Sequence, residues 1–304
     1  SIDVRLSTMP VQHGEAVVMR LLDQSSGILS LSDLGIQDEM LKRLRMLIMK
    51  PHGMVLVTGP TGSGKTTTLY SALSELNVAE KKIITVEDPV EYRLPRINQV
   101  QVHEQIGLTF ARVLRTAMRQ DPDILLVGEM RDLETAQIGL RAAITGHFVL
   151  STLHTNSAIG TVSRLLDMGA PGYLMASSLS AIVAQRLVRR ICTHCAVPYE
   201  PDELEQVWLD GVGHDFDLSG LRIGKGCNRC GNTGYRGRVG IYEMLELNGE
   251  MAAALRRDDH ESFAQIANAS SHFVPLWRSG LQYASEGITS LSEAIRIAGD
   301  VEVS

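Results

Sequence analysis

One eight-residue run, Gly59-Pro-Thr-Gly-Ser-Gly64-Lys65-Thr66, restricts the fold more than any other part of this 304-residue chain. It matches the Walker A pattern in full. Glycines let backbone amides curl around a phosphate, and a helix that follows adds its N-terminal dipole. Lys65 then reaches the β and γ phosphates, and the Thr66 hydroxyl serves Mg²⁺. Such a loop works only between a buried strand and a helix. The apolar run Met54–Thr58 precedes it, and Thr67-Thr-Leu-Tyr-Ser-Ala-Leu73 reads as the helix. The nucleotide cradle is therefore Gly59, Pro60, Thr61, Gly62, Ser63, Gly64, Lys65 and Thr66, with Thr67 opening the helix.

Further buried strands read at 83–86, 124–127 and 148–151, separated by helical patterns, as in a parallel α/β sheet. Asp38 caps a helix with apolar face Leu41, Leu44, Leu47 and Ile48, stopped by Pro51. Asp132 caps a helix over 133–144, ended by Gly146. Residues 1–22 alternate as two strands turning near His13-Gly14, and Asp23–Gly27 reads as a polar linker. The opening Ser-Ile-Asp, already in strand pattern, points to a piece of something longer. Residues 250–300 show three or four short helical patterns and no strand signal.

Acids stand at two strand ends. Asp121-Pro-Asp-Ile-Leu-Leu-Val-Gly-Glu129 has the Walker B arrangement, which holds Mg²⁺ directly or through water. Glu87, Asp88 and Glu91 follow the strand at 83–86, where one carboxylate can orient or deprotonate an attacking water. The bland alternative is that these acids cap turns, above all Asp88 before Pro89. His147 and His154 flank the strand at 148–151; a histidine there is often structural, although Ser-Thr-Leu-His154-Thr occupies the place of a γ-phosphate sensor. Arg112, Arg115 and Arg119 share one helix face with no acid among them, opposite Phe110, Val113, Leu114, Ala117 and Met118. That face is either solvated or in contact with nucleotide or a neighbouring subunit.

Cys192-Thr-His-Cys195 and Cys227-Asn-Arg-Cys230 supply four sulfurs on two tight turns, the donor set of a closed, structural zinc site. Two disulfides or a redox pair are the alternatives. Net charge is −6, and Arg186-Leu-Val-Arg-Arg190 is the only dense basic run, which argues against a nucleic-acid channel. No apolar run is long enough to span a bilayer.

Taken together, Gly-Pro-Thr-Gly-Ser-Gly-Lys-Thr, Val-Glu-Asp-Pro-Val-Glu, Arg-Gln-Asp-Pro-Asp…Val-Gly-Glu-Met-Arg-Asp and Gly-His…Ser-Thr-Leu-His-Thr-Asn resemble the secretion ATPase superfamily. The tetracysteine element resembles its GspE/PilB branch, the cytoplasmic motors of type II secretion and type IV pilus assembly. Ile106-Gly-Leu-Thr-Phe-Ala-Arg and Gly-Glu-Met-Arg look closer to pilus-extension members, including those of MSHA-type pili.

The resemblance implies an α/β fold: a RecA-like P-loop ATPase core (37–188), a zinc module (189–240) and a helical C-terminal part (241–304). Before them would come the end of an α+β, PAS-like N-terminal domain (1–22) and a linker (23–36). It implies ATP, Mg²⁺ and Zn²⁺, with Lys65, Thr66 and Glu129 in the Walker roles and Glu91 as general base. Arg5 and Arg20 would reach the nucleotide, His147 and His154 would form the histidine box, and Arg115, Arg119 and Arg131 would lie near nucleotide or subunit interface. Cys192, Cys195, Cys227 and Cys230 would be zinc ligands. The implied assembly is a homo-hexamer, cytoplasmic and peripheral at the inner membrane. Its implied partners are an inner-membrane platform protein and a cytoplasmic docking protein, without nucleic acid. A DNA-translocating RecA-type motor and a nucleotide-binding regulator without turnover are the rivals from other classes.

Overall fold

The computed structural model describes residues 2–23, 27–212 and 216–300. In chain order the elements begin with β1 (Ile2–Val11), β2 (Gly14–Asp23), α1 (Asp38–Ile48), β3 (Gly53–Thr58) and α2 (Lys65–Leu76). Then come β4 (Ile83–Glu87), β5 (Asn98–Gln101), α3 (Phe110–Ala117), β6 (Ile124–Val127), α4 (Leu133–Ile144) and β7 (Phe148–Leu153). Next are α5 (Ala158–Asp167), α6 (Gly172–Ser178), β8 (Leu179–Ile191), β9 (Ala196–Pro198), α7 (Glu203–Val212) and β10 (Arg222–Gly224). Last come β11 (Tyr235–Glu246), α8 (Gly249–Arg256), α9 (His260–Asn268), α10 (Leu276–Ser285) and α11 (Leu291–Asp300).

Seven strands form the main sheet in the order β11-β8-β3-β7-β6-β4-β5. All neighbours run parallel except the edge pair β8/β11. The carboxyl ends of β3, β4, β6 and β7 therefore meet at one edge. The sheet is covered on both faces, because successive side chains of a strand point to opposite sides. Met54 and Leu56 of β3 join a core with α3 to α6, α8 and α9, while Val55 and Val57 join one with α1 and α2. Burying each such side chain contributes about 1.5–3 kcal/mol. The helices expected at 38 and 133 form with the expected faces, but only Asp132 caps as expected: Asp38 is the first residue of α1, where its charge suits the helix dipole, and Gln37 holds the cap position without a side-chain bond. Asp132 accepts the Thr135 N–H at 2.8 Å, and Leu41, Leu44, Leu47 and Ile48 are buried.

Three strands of the main sheet, β5, β8 and β11, and the short pair β9 and β10 were not legible in the apolar pattern. β5 reads Asn-Gln-Val-Gln, a polar edge strand. β8 carries Gln185, Arg186, Arg189 and Arg190, and its register brings Glu243 of β11 opposite Ala184. Both β8 and β11 belong to the main sheet, so the residues between them, with both cysteine pairs, form an excursion from one edge of it. The α7 helix of that excursion packs on α10 and α11 through Leu209, Leu281, Ala284 and Leu291. The expected helical C-terminal region is present as α8 to α11.

The N-terminal strands pair as an antiparallel hairpin whose register sets Arg5 directly opposite Arg20. Part of the expected linker, residues 24–26, lies outside the described residues.

Candidate functional site

The loop between β3 and α2 is held open by its own geometry and by β8. Gly59 has φ +149°, and a Cβ there would stand 2.5 Å from the Gln185 carbonyl oxygen, so only glycine fits. Gly62 and Gly64 also take positive φ, of 81° and 91°. Gln185 clamps the loop: its amide donates to the Ser63 carbonyl at 2.7 Å, and its side-chain oxygen accepts the Thr68 hydroxyl at 2.8 Å.

Around the loop lies a cavity of about 720 Å³, lined among others by Arg20, Thr61, Gly62, Gly64, Lys65, Thr66, Thr67, Glu87, Asp88, Glu91, Glu129, His154 and Arg238. It adjoins a recess of about 770 Å³ that shares Gly64, Thr67, Leu187 and Arg238 and continues over Leu34, Ile36, Tyr242 and Tyr283. The first carries charges of both signs, the acids Glu87, Asp88, Glu91 and Glu129 beside Arg20, Lys65 and Arg238, and the second mixes the aromatic and aliphatic faces of Tyr242, Tyr283, Leu34 and Ile36 with charged residues such as Asp38 and Arg190.

Lys65 bends back over the loop, donating to the carbonyls of Gly59 at 2.8 Å and Pro60 at 3.1 Å, and stands 3.5 Å from His154 Nδ1. Burial lowers its pKa from 10.5 to about 8, against the pull of Glu129 and with a further push from Arg186. The Glu129 carboxylate follows β6. One of its oxygens accepts from Arg131 and the other lies 3.4 Å from His154 Nε2. Arg131 also approaches Asp88 at 3.6 Å. The Thr66 hydroxyl and Glu129 carboxylate are hard oxygen donors of the class Mg²⁺ prefers. The carboxylate's present partners, Arg131 and His154, would share or yield an oxygen to it.

The acids after β4 separate by environment. Glu87 is buried and hydrogen-bonded by Tyr70, Thr85 (2.5 Å) and Gln99 (3.2 Å). Glu91 lies further out and meets Arg5 from the N-terminal hairpin at 3.0 Å.

Three expected site residues are not brought to the loop by this chain's own fold. His147 precedes β7 whereas His154 follows it, so a whole strand, roughly 20 Å, separates them. His147 Nδ1 instead sits 3.1 Å from the Ala142 carbonyl at the opposite edge of the sheet. Arg115 and Arg119 lie toward the end of α3 that leads to the amino end of β6. Arg115 does have an acid partner, Glu134 of α4, and Arg119 bonds the Arg115 carbonyl at 3.4 Å. Sequence reasoning missed Gln185, Arg186 and Arg238. The basic run at 186–190 was the available signal. Arg186 is buried and bonds Gln185 and Asn156, while Arg189 is bound to Glu293 at 3.0 Å and stacks over Tyr235, so the run is not an exposed channel.

The four cysteines converge. All sulfurs lie within 4.8 Å of one another, with separations of 3.9 Å (Cys192–Cys227 and Cys195–Cys230) and 3.8 Å (Cys227–Cys230). A disulfide needs about 2.05 Å, whereas four sulfurs each about 2.3 Å from a tetrahedral zinc stand about 3.8 Å apart. The thiols are free and their spacing fits a metal.

Comparison with known proteins agrees with this geometry. A family model described as "Type II/IV secretion system protein" matches residues 1–296. Type II secretion system protein E of Klebsiella pneumoniae is 48% identical over 300 residues, covering 98% of this chain and 59% of that protein. Type II secretion system ATPase E of Vibrio cholerae is 47% identical over 297 residues, covering 98% and 58%. The chain thus spans about three fifths of the length of these curated relatives. Among solved structures, the pilus retraction motor PilT with bound ADP superimposes with a TM-score of 0.69 at 29% identity, over 97% of this chain and 73% of that one. The ATPase DotB of Yersinia pseudotuberculosis gives 0.70 at 23% identity, over 98% and 70%, a likeness of fold. No described helix is long and apolar enough to cross a membrane. With its phosphate loop, parallel-dominated α/β sheet and clustered cysteines, the chain belongs to the Type II/IV secretion system protein family.

Proposed function

We propose that this chain is the ATP-hydrolysing motor portion of a type II secretion or type IV pilus machine. The carrying observation is the convergence, on one cavity, of the phosphate loop, Glu129, Glu91 and Arg20, with Arg5 bound to Glu91 at its wall. In this reading the loop amides, Lys65 and Thr67 bind the phosphates, and the recess by Tyr242 and Tyr283 takes the base. Mg²⁺ held by Thr66 and Glu129 would offset phosphate charge. Glu91 takes the proton of the attacking water, Arg5 and Arg20 face the developing charge, and His154 links Lys65 to Glu129. The hairpin is the end of a preceding domain, 37–188 the core, 189–240 a module stiffened by one zinc, and 241–304 the C-terminal part, with β8 and β11 running across the two inner boundaries as strands of the core sheet. Swing of the hairpin's domain against the core would carry the work.

A homo-hexameric ring, with His147, Arg115 and Arg119 toward neighbouring subunits, fits their distance from the loop. A platform protein and a docking protein at the inner membrane would be its partners, reached from the cytoplasm. The names of relatives at 47–49% identity favour secretion over pilus assembly. The test is phosphate release from ATP by the full-length, assembled protein. Loss of release in Lys65→Ala and Glu129→Ala is expected, and wild-type release in either overturns the reading.

A further inference from the structure

We propose that Tyr70 is a positioning residue for Glu91, tying the backbone of the segment that carries the base to the phosphate-loop helix. The proposal rests on the reading of Glu91 as the base. Helix α2 leaves the loop at Lys65, and Tyr70 stands five residues along it, 2% exposed. Its hydroxyl makes three bonds, one of them accepted from the Gln99 amide at 3.5 Å. It donates to the Glu87 carboxylate and accepts the Glu91 N–H at 3.3 Å. The phenol O–H is directed at the Glu87 carboxylate, which leaves the oxygen's lone pairs to accept from Glu91 and Gln99.

Glu87 is itself locked, 4% exposed, by the Thr85 hydroxyl and the Gln99 amide. The same Gln99 amide donates to the Tyr92 carbonyl at 2.9 Å, and its side-chain oxygen accepts the Leu94 N–H at 2.7 Å. Residues 91, 92 and 94 are thus each fixed through the backbone by side chains of α2 and β5. The ring of Tyr92 closes edge-on against Tyr70, centroids 6.2 Å apart.

Two consequences follow. Glu87 is an orienting group, since both its oxygens are occupied by core residues, while the Glu91 carboxylate lines the cavity and meets the hairpin's Arg5 there. And any shift of the phosphate-loop helix moves the base with it. A misplacement of about 1 Å in a reacting group costs on the order of a hundredfold in rate, so this tether acts on turnover rather than on nucleotide binding.

The experiment uses the full-length, assembled protein. Tyr70→Phe removes only the hydroxyl, and Gln99→Leu releases the segment from the other side. Both are expected to lower kcat about tenfold, with KM for ATP and nucleotide Kd within twofold, a partial loss of the positioning effect. Amide exchange of residues 88–94 should quicken while β4 stays protected. Wild-type kcat in both variants overturns the proposal, as does an equal fall in kcat and affinity with general loss of protection. Glu91→Gln separates the two claims. If it retains turnover, the base assignment fails. If it is inactive while Tyr70→Phe and Gln99→Leu are fully active, only the positioning role fails.

Discussion

Arg5 of the N-terminal hairpin faces Glu91 across 86 positions of sequence. Its Nη1 donates to Oε1 at 3.2 Å, and Nη2 lies 3.0 Å from Oε2. With 34% and 23% of the two side chains exposed, solvent screens the pair, and it contributes at most about 1 kcal/mol to stability. Its importance lies in the cavity, where it holds a cation and an acid together on opposite sides of the hairpin–core boundary. Arg5→Ala should therefore leave denaturant stability within about 1 kcal/mol of wild type while turnover falls roughly tenfold or more. Equal turnover, or a large stability loss, would contradict that division.

Lys65 carries a pH signature. Burial lowers its pKa from 10.5 to about 8, so the unfolded chain binds this proton more tightly than the folded one. The resulting penalty on folding is full below pH 8 and is relieved as pH rises from 8 toward 10.5. A bound phosphate favours the ammonium, so binding takes up a proton above the free-state pKa. Nucleotide Kd should be flat at lower pH and rise with a limiting slope of about tenfold per unit above roughly pH 8. Titration with a fluorescent ATP analogue between pH 6.5 and 9.5 checks this, with Lys65→Ala expected to lose that dependence along with affinity. A flat wild-type profile would refute it.

The legible parts of the molecule were those whose burial shows in short apolar runs or whose chemistry needs a local motif. β3, β4, β6 and β7 are such runs, and the phosphate loop is such a motif. β8 escaped because its arginines are satisfied by tertiary partners, Arg186 by Asn156 and Arg189 by Glu293, that no local pattern reveals. β5 escaped because an edge strand can be polar on both faces. Glu87 and Glu91 sit four residues apart with the same chemistry, and only the fold tells the acid anchored in the core from the one that lines the cavity beside Arg5. His147 and His154 belong to one motif, yet they stand at opposite ends of a strand, a separation that strand geometry alone contains.

The cysteine cluster makes a stoichiometric claim. Native mass spectrometry or metal analysis should find about one zinc per chain, the capacity of one tetrahedral four-thiolate site. Cys227→Ser should drop to substoichiometric zinc and melt at lower temperature, since metal binding energy is folding energy here. Metal-free wild-type protein with four titratable thiols and unchanged stability would overturn the assignment.

Glu243 joins three parts of the fold. Its carboxylate, 1% exposed, accepts the Ala158 N–H at 2.6 Å and the Leu276 N–H at 2.8 Å, at the starts of α5 and α10. Burial raises its pKa, opposed by those two amides and by Arg186. Glu243→Ala would strand both amides and remove a buried negative charge that Arg186 favours, costing about 3–5 kcal/mol. Urea unfolding checks the figure, and a loss below about 1 kcal/mol, the size of an exposed pair, would show that the carboxylate is dispensable.

The most direct test of the whole account is a single-turnover measurement on full-length, assembled Glu91→Gln. Bound ATP should persist with nucleotide affinity near wild type, while phosphate release slows by about a hundredfold or more, the scale of a lost general base. Phosphate release at the wild-type rate would contradict it.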